Sequence, residues 1–143
     1  MRLAAVTFGA VLSALSGTSA SAVIRITGDN GGQIGPYLET LVAIRESGQR
    51  VVIDGPCLSA CTLILGVIPR ERICVTRRAR LGFHAAWHHG ENGRPATNRG
   101  GTQLLMAVYP QQVKNWINRR GGLTREMKYL TGRELASMYP TCQ

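Results

Sequence analysis

Two side chains in the middle of the sequence are of types that together can cleave an acyl bond. Ser59 follows a Gly-Pro break at residues 55–56 and begins an apolar segment that is predicted to be a helix. Backbone N–H groups and the dipole at a helix start favour a negative oxygen nearby, although serine is also a common N-cap. His84 ends a later apolar run, and imidazole is the usual base for a serine nucleophile. The pair therefore indicates acyl transfer, with a capping serine and a structural histidine as the alternative.

The elements that must position this pair alternate between strand and helix. Runs of β-branched and apolar residues predict four strands, at residues 23–27, 50–54, 72–76 and 80–84. Helical spacing predicts four helices, at residues 36–48, at 59–67, at 102–120 with a kink at Pro110, and after a capping box at Thr131 and Glu134. This order predicts an α/β fold with right-handed crossovers and a small, mostly parallel sheet on which the helices pack.

A polar stretch separates the last predicted strand from the long helix. Residues 85–101 are rich in Gly, Asn and His, so we predict a loop of about 17 residues, long enough to suggest a substrate-facing role. We interpret Trp87 as the anchor of this solvated loop. The alternative is that Trp87, His88 and His89 line a substrate cleft.

The first 22 residues have the pattern of a secretory signal peptide. A short positive start at Met1 and Arg2 precedes an apolar run at 3–15, and Ala20-Ser21-Ala22 has the small-x-small form of a cleavage site. The apolar run is too short to span a hydrocarbon core of ~30 Å comfortably. We therefore predict cleavage after Ala22 and a single domain at 23–143 that is periplasmic or secreted, with a retained N-terminal anchor as the alternative.

Charge gives a weaker indication of the partner. The chain has 17 basic and 8 acidic residues and a net charge of +9. The basic residues are mostly arginines, and they are scattered rather than gathered in a tract with aromatic residues between them. A nucleic-acid partner is therefore not expected. A basic protein associated with a cell wall or a membrane remains an alternative.

Four cysteines in a small exported chain favour two disulfides. Three connectivities are open, and we prefer Cys57 with Cys61, one helical turn apart, and Cys74 with Cys142, which would tie down the C-terminal tail. The alternative is a metal site of Cys57 and Cys61 with one of the histidines. No CxxC pair supports it, so neither a metal nor a cofactor is predicted.

The order of these motifs resembles the Clp/crotonase superfamily, and within it the Clp-type serine peptidases and their exported relatives. Three motifs carry the resemblance: Gly31-Gly32, Cys57-Leu-Ser-Ala-Cys61 and Leu81-Gly-Phe-His84. The histidine follows the serine by 25 positions, as the catalytic histidine does in the Clp proteolytic subunit. The resemblance covers roughly residues 23–139, and it implies a fold of crotonase-like βαβ units.

The resemblance also implies roles for individual residues. Ser59 would be the nucleophile and His84 its general base. The backbone N–H groups of Gly32 and Ala60 would form the oxyanion hole, and a glycine is needed there because a Cβ would obstruct the approach of the substrate oxygen.

The third member of a catalytic triad is missing from its expected place. The family has an Asp shortly before an aromatic-Leu-Ser/Thr step, which here is residues 129–131, and the Asp position falls on Met127. Asp54, at the end of a predicted strand, and Glu126 are the candidates for this role. Without either of them the site would be a Ser-His dyad, or the scaffold would be inactive.

These observations predict an exported Clp-like serine hydrolase, of peptidase type, that acts on a peptide or protein substrate. The alternative is a catalytically inactive binding or assembly module on the same scaffold. The chain lacks the family's N-terminal strands, and its region after His84 is shorter than the one through which Clp rings pair. A chamber of paired Clp-type rings is therefore not expected, although a homo-oligomer of another kind remains open. An ATPase partner is not expected either, because ATP is absent outside the cytoplasm.

Overall fold

The computed structural model describes residues 22–143, so the predicted signal peptide lies outside the described residues except for Ala22. The strands are β1 (Val23–Ile26), β2 (Arg50–Ile53), β3 (Pro56–Leu58), β4 (Ile73–Val75), β5 (Arg80–Phe83), β6 (Trp87–His89), β7 (Pro95–Thr97) and β8 (Lys128–Thr131). The α-helices are α1 (Ile34–Glu46), α2 (Ile64–Val67), α3 (Arg99–Val108), α4 (Gln111–Arg119) and α5 (Gly132–Met138). Two 3-10 helices cover Ser59–Leu63 and Arg70–Arg72. None of the helices in the described range is long and apolar enough to cross a membrane.

The strands form two three-stranded sheets and a hairpin. The first sheet has the order β1-β2-β4 and is wholly parallel, whereas in the second, β3-β5-β8, β8 runs antiparallel to β5. The chain passes from β2 directly into β3 through Asp54 and Gly55, and a Cβ on Gly55 would collide with the backbone carbonyl of Thr27. The α/β fold predicted from the sequence is confirmed, but its sheet is divided in two where the chain bends at this glycine.

Apolar side chains from both sheets and from all five α-helices of the described residues make one core. Phe83 of β5 contacts Tyr109 and Trp116, each at 5.4 Å between ring centroids. Trp116 and Ile117 of α4 are fully buried, as is Leu130 of β8. Strand β5 is therefore packed against the core and paired with β3 and β8. This packing determines the position of the backbone of His84, which follows β5.

The polar stretch at 85–101 is more ordered than the sequence predicted. Strands β6 and β7 pair as an antiparallel hairpin, with Trp87 opposite Thr97, and Gly93 takes a positive φ of 69° in its turn. Helix α3 already begins at Arg99, after Asn98 caps it by accepting a hydrogen bond from the Gly101 N–H. The hairpin was missed because its residues lie at the surface, so no apolar alternation marks them.

Three other local predictions need correction. The helix predicted at 102–120 is two helices, because Pro110 has no N–H to continue α3 and instead caps α4. The capping box does not form: Thr131 precedes α5 without a side-chain bond, and Glu134 pairs with Arg120 at 2.8 Å. Strands β3 and β8 were not predicted, since three or four residues are too few to show a period.

Both predicted disulfides are confirmed. Cys57 is bonded to Cys61 and Cys74 to Cys142, with Cα–Cα distances of 5.3 and 5.0 Å. The metal-site alternative is wrong, because the sulfurs of Cys57 and Cys61 are bonded to each other. The second bridge fastens the C-terminal tail to β4, where the Cys142 N–H also donates to the Val75 carbonyl.

The two bridges are expected to differ in their effect on stability. The Cys74–Cys142 bridge spans 68 positions and the Cys57–Cys61 bridge spans 4. Loop entropy in the unfolded chain then predicts a loss of about 4 kcal/mol for Cys74→Ala/Cys142→Ala and about 2 kcal/mol for Cys57→Ala/Cys61→Ala. Urea unfolding followed by circular dichroism measures both losses, and a larger loss for the short bridge would contradict the prediction.

Candidate active site

Ser59 and His84 directly follow the paired strands β3 and β5, and their side chains are in contact. The His84 Nε2 atom lies 2.8 Å from the Ser59 Oγ atom, and the His84 Nδ1 atom lies 2.8 Å from the Ala85 carbonyl oxygen. Because a carbonyl can only accept a hydrogen bond, Nδ1 carries the ring proton. In the neutral ring Nε2 is then the nitrogen that accepts a hydrogen bond from the Ser59 hydroxyl, as a general base requires.

The backbone at Ser59 is in a left-handed conformation. Its φ is 57°, and it is the only residue other than glycine with a positive φ in the part of the chain that the structure describes. This conformation costs a serine about 1–2 kcal/mol. It arises at the sharp change from β3 to the 3-10 helix, which turns the hydroxyl out of the core toward His84. Backbone strain of this kind is concentrated at functional sites.

The loop after β1 runs beside the nucleophile and is fixed by Asp29. The Asp29 N–H donates to the Pro56 carbonyl and the Asp29 carbonyl accepts from the Leu58 N–H, so this residue pairs with β3. Its Oδ1 atom accepts from the Gly31 N–H at 2.8 Å and from the Tyr37 hydroxyl at 2.5 Å. Burial and the adjacent Asp29 raise the pKa of Tyr37 to about 12, so the phenol remains a donor.

The first glycine of the Gly-Gly turn is the one that the fold requires. Gly31 has a φ of 80°, and a Cβ on it would lie 2.5 Å from the Leu58 carbonyl oxygen and 2.6 Å from the Ser59 Cβ. Gly32, to which the resemblance assigns the oxyanion donor, has an ordinary φ and room limited only by the Tyr37 ring. Gly31 thus allows the loop to touch the nucleophile turn, and Gly32 follows it along the edge of the cavity.

A cavity of about 640 Å³ opens onto the pair and onto both predicted oxyanion donors, Gly32 and Ala60. In the described part of the chain, neither of their N–H groups has a hydrogen-bond partner in the protein. The walls come from the start of α1, the hairpin and α3, with Gln33, Trp87, His88, His89, Asn98 and Leu105 among the lining residues. Among residues 22–143, no Asp, Glu, Lys or Arg side chain lines the cavity, which therefore suits a neutral segment of a substrate.

The structure changes the interpretation of the tryptophan in the hairpin. Trp87 is 49% exposed and lines the cavity, with its ring edge-on to His89 at 5.1 Å between centroids. It does not anchor a solvated loop, as the sequence had suggested. The alternative, that Trp87, His88 and His89 line a cleft, describes the structure.

Neither sequence candidate for the third triad position orients His84. The Asp54 carboxylate accepts from Arg25 at 2.9 Å, from Thr76 at 2.7 Å and from Arg78. Asp54 is 5% exposed at the bend between the two sheets, where it holds β1 and the turn after β4 together. Glu126 is exposed and has neither a hydrogen bond nor an ion pair with any described residue. Both candidates are therefore wrong for this role.

The residue opposite His84 is Met127. Phe83 pairs with Lys128 across the antiparallel strands β5 and β8. The next opposed pair, just beyond the ends of these strands, is His84 and Met127. Both residues line a smaller cavity of about 250 Å³, together with Arg125. An apolar thioether thus occupies the position from which a carboxylate would act, and the Ala85 carbonyl takes the hydrogen bond from Nδ1 instead.

Asp54 gives the stability of the protein a pH dependence with a definite sign. Hydrogen bonds from Arg78, Thr76 and Arg25 hold its pKa well below the ordinary value near 4. A depressed pKa stabilises the folded state above the unfolded pKa, and that stability is lost as pH falls below about 4 toward the folded pKa. For the wild type we expect the urea concentration at the unfolding midpoint to decrease as the pH is lowered below about 4. Asp54→Asn should have a lower midpoint at pH 7 and a weaker acid dependence.

The control for this prediction is Glu126→Gln, which removes an exposed carboxylate that has no partner among the described residues. Its acid dependence should match that of the wild type. Equal slopes for wild type and Asp54→Asn between about pH 5 and pH 2 would contradict the prediction.

Several residues that build the site were not predicted from the sequence. Asp29 stands before the glycines, where an Asp commonly bonds to the backbone two residues on, and this pattern could have identified it. Thr62 and Tyr109, which hydrogen bond beneath the nucleophile at 2.6 Å, are 47 positions apart and carry no motif.

Known proteins resemble this chain in fold but not in sequence. No protein-family model matches the chain, and no curated protein matches it. Among the solved structures that are similar is the ClpP1 N165D mutant from Listeria monocytogenes, with 16% identity and a TM-score of 0.49 over 82% of this chain and 68% of that chain. Another is a peptidase from Plasmodium falciparum, with 7% identity and a TM-score of 0.53 over 87% of this chain and 79% of that chain. At these identities the likeness to the Plasmodium peptidase is one of fold alone.

Proposed function

We propose that this protein is an exported serine hydrolase that cleaves peptides through an acyl-enzyme at Ser59, with His84 as general base. The observation that carries the proposal is the distance of 2.8 Å between Ser59 Oγ and His84 Nε2, with the unprotonated nitrogen facing the hydroxyl. The neutral cavity beside the pair gives a peptide segment room to bind. The likeness of the fold to a solved peptidase supports the same class of reaction.

The reaction follows from the positions of the groups. His84 accepts the hydroxyl proton of Ser59 as Oγ attacks the substrate carbonyl carbon, and the carbonyl oxygen becomes negative. Gly32 and Ala60 line the same cavity, and in this mechanism their N–H groups stabilise that oxygen. His84 then returns the proton to the leaving amine, and a water molecule attacks the ester at Ser59 by the same steps.

The orienting group of the base is a backbone carbonyl in this mechanism. The Ala85 oxygen holds the His84 ring in the required tautomer. A neutral carbonyl stabilises the imidazolium less than a carboxylate does, so the dyad should be slower than a complete triad. Export after cleavage near Ala22 fits this chemistry, because both disulfides persist in an oxidising compartment.

A second candidate function is a non-catalytic binding module on the same scaffold. The observation that favours it is the apolar Met127 opposite His84, with no carboxylate hydrogen bonded to His84 among the described residues. Such a module would bind a peptide in the cavity without cleaving it.

Labelling with a fluorophosphonate probe tests the proposal. The probe should attach covalently to Ser59 in the wild type, as located by peptide mass spectrometry, and Ser59→Ala should lose the label. Ser137→Ala removes an exposed hydroxyl on α5 and is the matched control, which should label as the wild type does. An unlabelled wild type between about pH 6 and pH 9, or equal labelling of Ser59→Ala, would leave the binding module as the function.

A further inference from the structure

We propose that the Cys57–Cys61 disulfide and the Thr62 hydroxyl are positioning groups that hold Ser59 in its left-handed conformation, so that hydrolysis is faster when the bridge is oxidised. This inference rests on the proposed function, because it concerns the same nucleophile. It assigns to the short bridge a role in activity that its small contribution to stability does not suggest.

The bridge encloses the nucleophile. Cys57 lies in β3 and Cys61 in the 3-10 helix, and Ser59 is the middle residue of the five-residue ring that the disulfide closes. Both cysteines are buried, at 0% and 2% exposure, in the packed core. A closed ring this small limits the backbone angles of the residues inside it, and the only residue with a positive φ among them is Ser59.

A chain of two hydroxyls fixes the same residue from the other side. The Thr62 hydroxyl donates to the Ser59 carbonyl at 2.6 Å, and it lies 2.6 Å from the Tyr109 hydroxyl. Because the proton of Thr62 is used on the carbonyl, Tyr109 must be the donor to Thr62. Burial raises the pKa of Tyr109 to about 12, so the phenol keeps the proton that it donates. Thr62 and Tyr109 are 0% and 2% exposed.

These contacts oppose a conformational preference that acts against catalysis. Without these contacts the backbone of Ser59 would leave the left-handed region, which is disfavoured by a factor of roughly 5 to 30 relative to ordinary backbone conformations. In those conformations the hydroxyl would not be held against His84. Most of the cavity lining comes from the loop after β1, the start of α1, the hairpin and α3, and Ser59 and Ala60 of this turn complete it. Loss of the positioning groups should therefore lower kcat by about tenfold and leave KM nearly unchanged.

The bridge makes activity depend on oxidation. Its two thiols form the disulfide by exchange with a disulfide-containing oxidant: each cysteine sulfur loses a proton, the new S–S bond forms, and the oxidant takes two electrons and two protons to become two thiols. Before this exchange the nucleophile turn is open and the chain hydrolyses slowly. After export into an oxidising compartment the turn closes.

The experiment compares two disulfide variants. One is expected to lose mainly activity and the other mainly stability. Cys57→Ala/Cys61→Ala should lose about tenfold in kcat and in the rate constant of fluorophosphonate labelling, with KM within about twofold of the wild type. The matched control, Cys74→Ala/Cys142→Ala, should unfold at a lower urea concentration yet keep kcat within about twofold when fully folded. A folded Cys57→Ala/Cys61→Ala protein that labels at the wild-type rate would overturn the proposal, as would an equal loss in the control.

Thr62 provides a second test, which does not depend on how the cysteine variant folds. Thr62→Val keeps the shape but removes the hydroxyl, and it should lose kcat by a similar factor of about ten, whereas Thr62→Ser should restore most of it. Equal kcat for the valine and serine variants would show that the hydroxyl does not position Ser59.

A measurement without turnover separates this proposal from the proposed function. The ¹⁵N signal of His84 Nε2 reports its hydrogen bond to Ser59. If the wild type is not labelled at all, the hydrolase proposal fails, but positioning is still judged by this signal. Its shift in Cys57→Ala/Cys61→Ala, with no shift in Cys74→Ala/Cys142→Ala, supports positioning by the bridge. An unchanged signal in both variants contradicts it.

Discussion

Met127→Asp is expected to raise kcat by at least about tenfold, with an upper bound of about 10⁴, the factor lost when a triad carboxylate is neutralised. The register of β5 and β8 places residue 127 opposite His84, and both residues line the same cavity of about 250 Å³. A carboxylate there can accept the hydrogen bond of the Nδ1–H in place of the Ala85 carbonyl. It would stabilise the imidazolium that forms as Ser59 attacks, which a neutral carbonyl does only weakly.

Met127→Asn is the control, because it brings a polar side chain of the same size without the charge. Both variants lose the packing of the thioether, whose Sδ atom would lie 2.8 Å from a Cβ on Gly82. Steady-state kinetics on one ester substrate, at matched folded fractions, measure the difference. Equal kcat for the Asp and Asn variants would mean that a charge at this position does not act on His84.

Gly31→Ala is expected to lower kcat by about 10²–10³ and to destabilise the fold by about 1–3 kcal/mol. Its φ of 80° disfavours any side chain, and the new Cβ would meet the Leu58 carbonyl, the Ser59 Cβ and the Ala60 nitrogen, all within 2.8 Å. Relief of these contacts must move either the loop that carries Gly32 or the nucleophile turn. Either movement separates an oxyanion donor from the attacking hydroxyl.

The control for this prediction is Gly28→Ala in the same loop. A Cβ on Gly28 would meet nothing within 4 Å, and its φ is not in the left-handed region. Urea unfolding and fluorophosphonate labelling should leave this variant near the wild type. Equal losses in the two variants would attribute the effect to general softening of the loop.

Local patterns in the sequence were enough to predict the elements that lie closest to the chemistry. Strands β1, β2, β4 and β5 were predicted because β-branched and apolar residues alternate or cluster over four or five positions there. The disulfide pairing followed from spacing in one case and from the need to fasten a tail in the other. The distance along the chain from Ser59 to His84, together with the resemblance, was enough to select the pair that the structure brings to 2.8 Å.

The partners of charged and polar side chains could not be predicted in the same way. Asp54 ends a strand beside the serine in the sequence, but its carboxylate bonds to Arg25, Thr76 and Arg78, which are 22 to 29 positions away. Strand β8, with four residues, has no recognisable period, so its register with β5 was not predicted, and only the resemblance had indicated residue 127 as the third position of a triad. The hairpin that carries Trp87 is exposed on both faces and shows no apolar pattern.

The sequence by itself determined the α/β class, the two bridges and the location of a serine–histidine pair. Each of these depends on residue type and short spacing, which backbone geometry converts directly into structure. Only the tertiary structure decided how the pair is built: the left-handed φ of Ser59, the carbonyl of Ala85 behind the base, and the hydroxyl of Thr62 beneath the nucleophile. These features arise where the chain turns sharply between elements, and contacts among residues distant in sequence hold them in place.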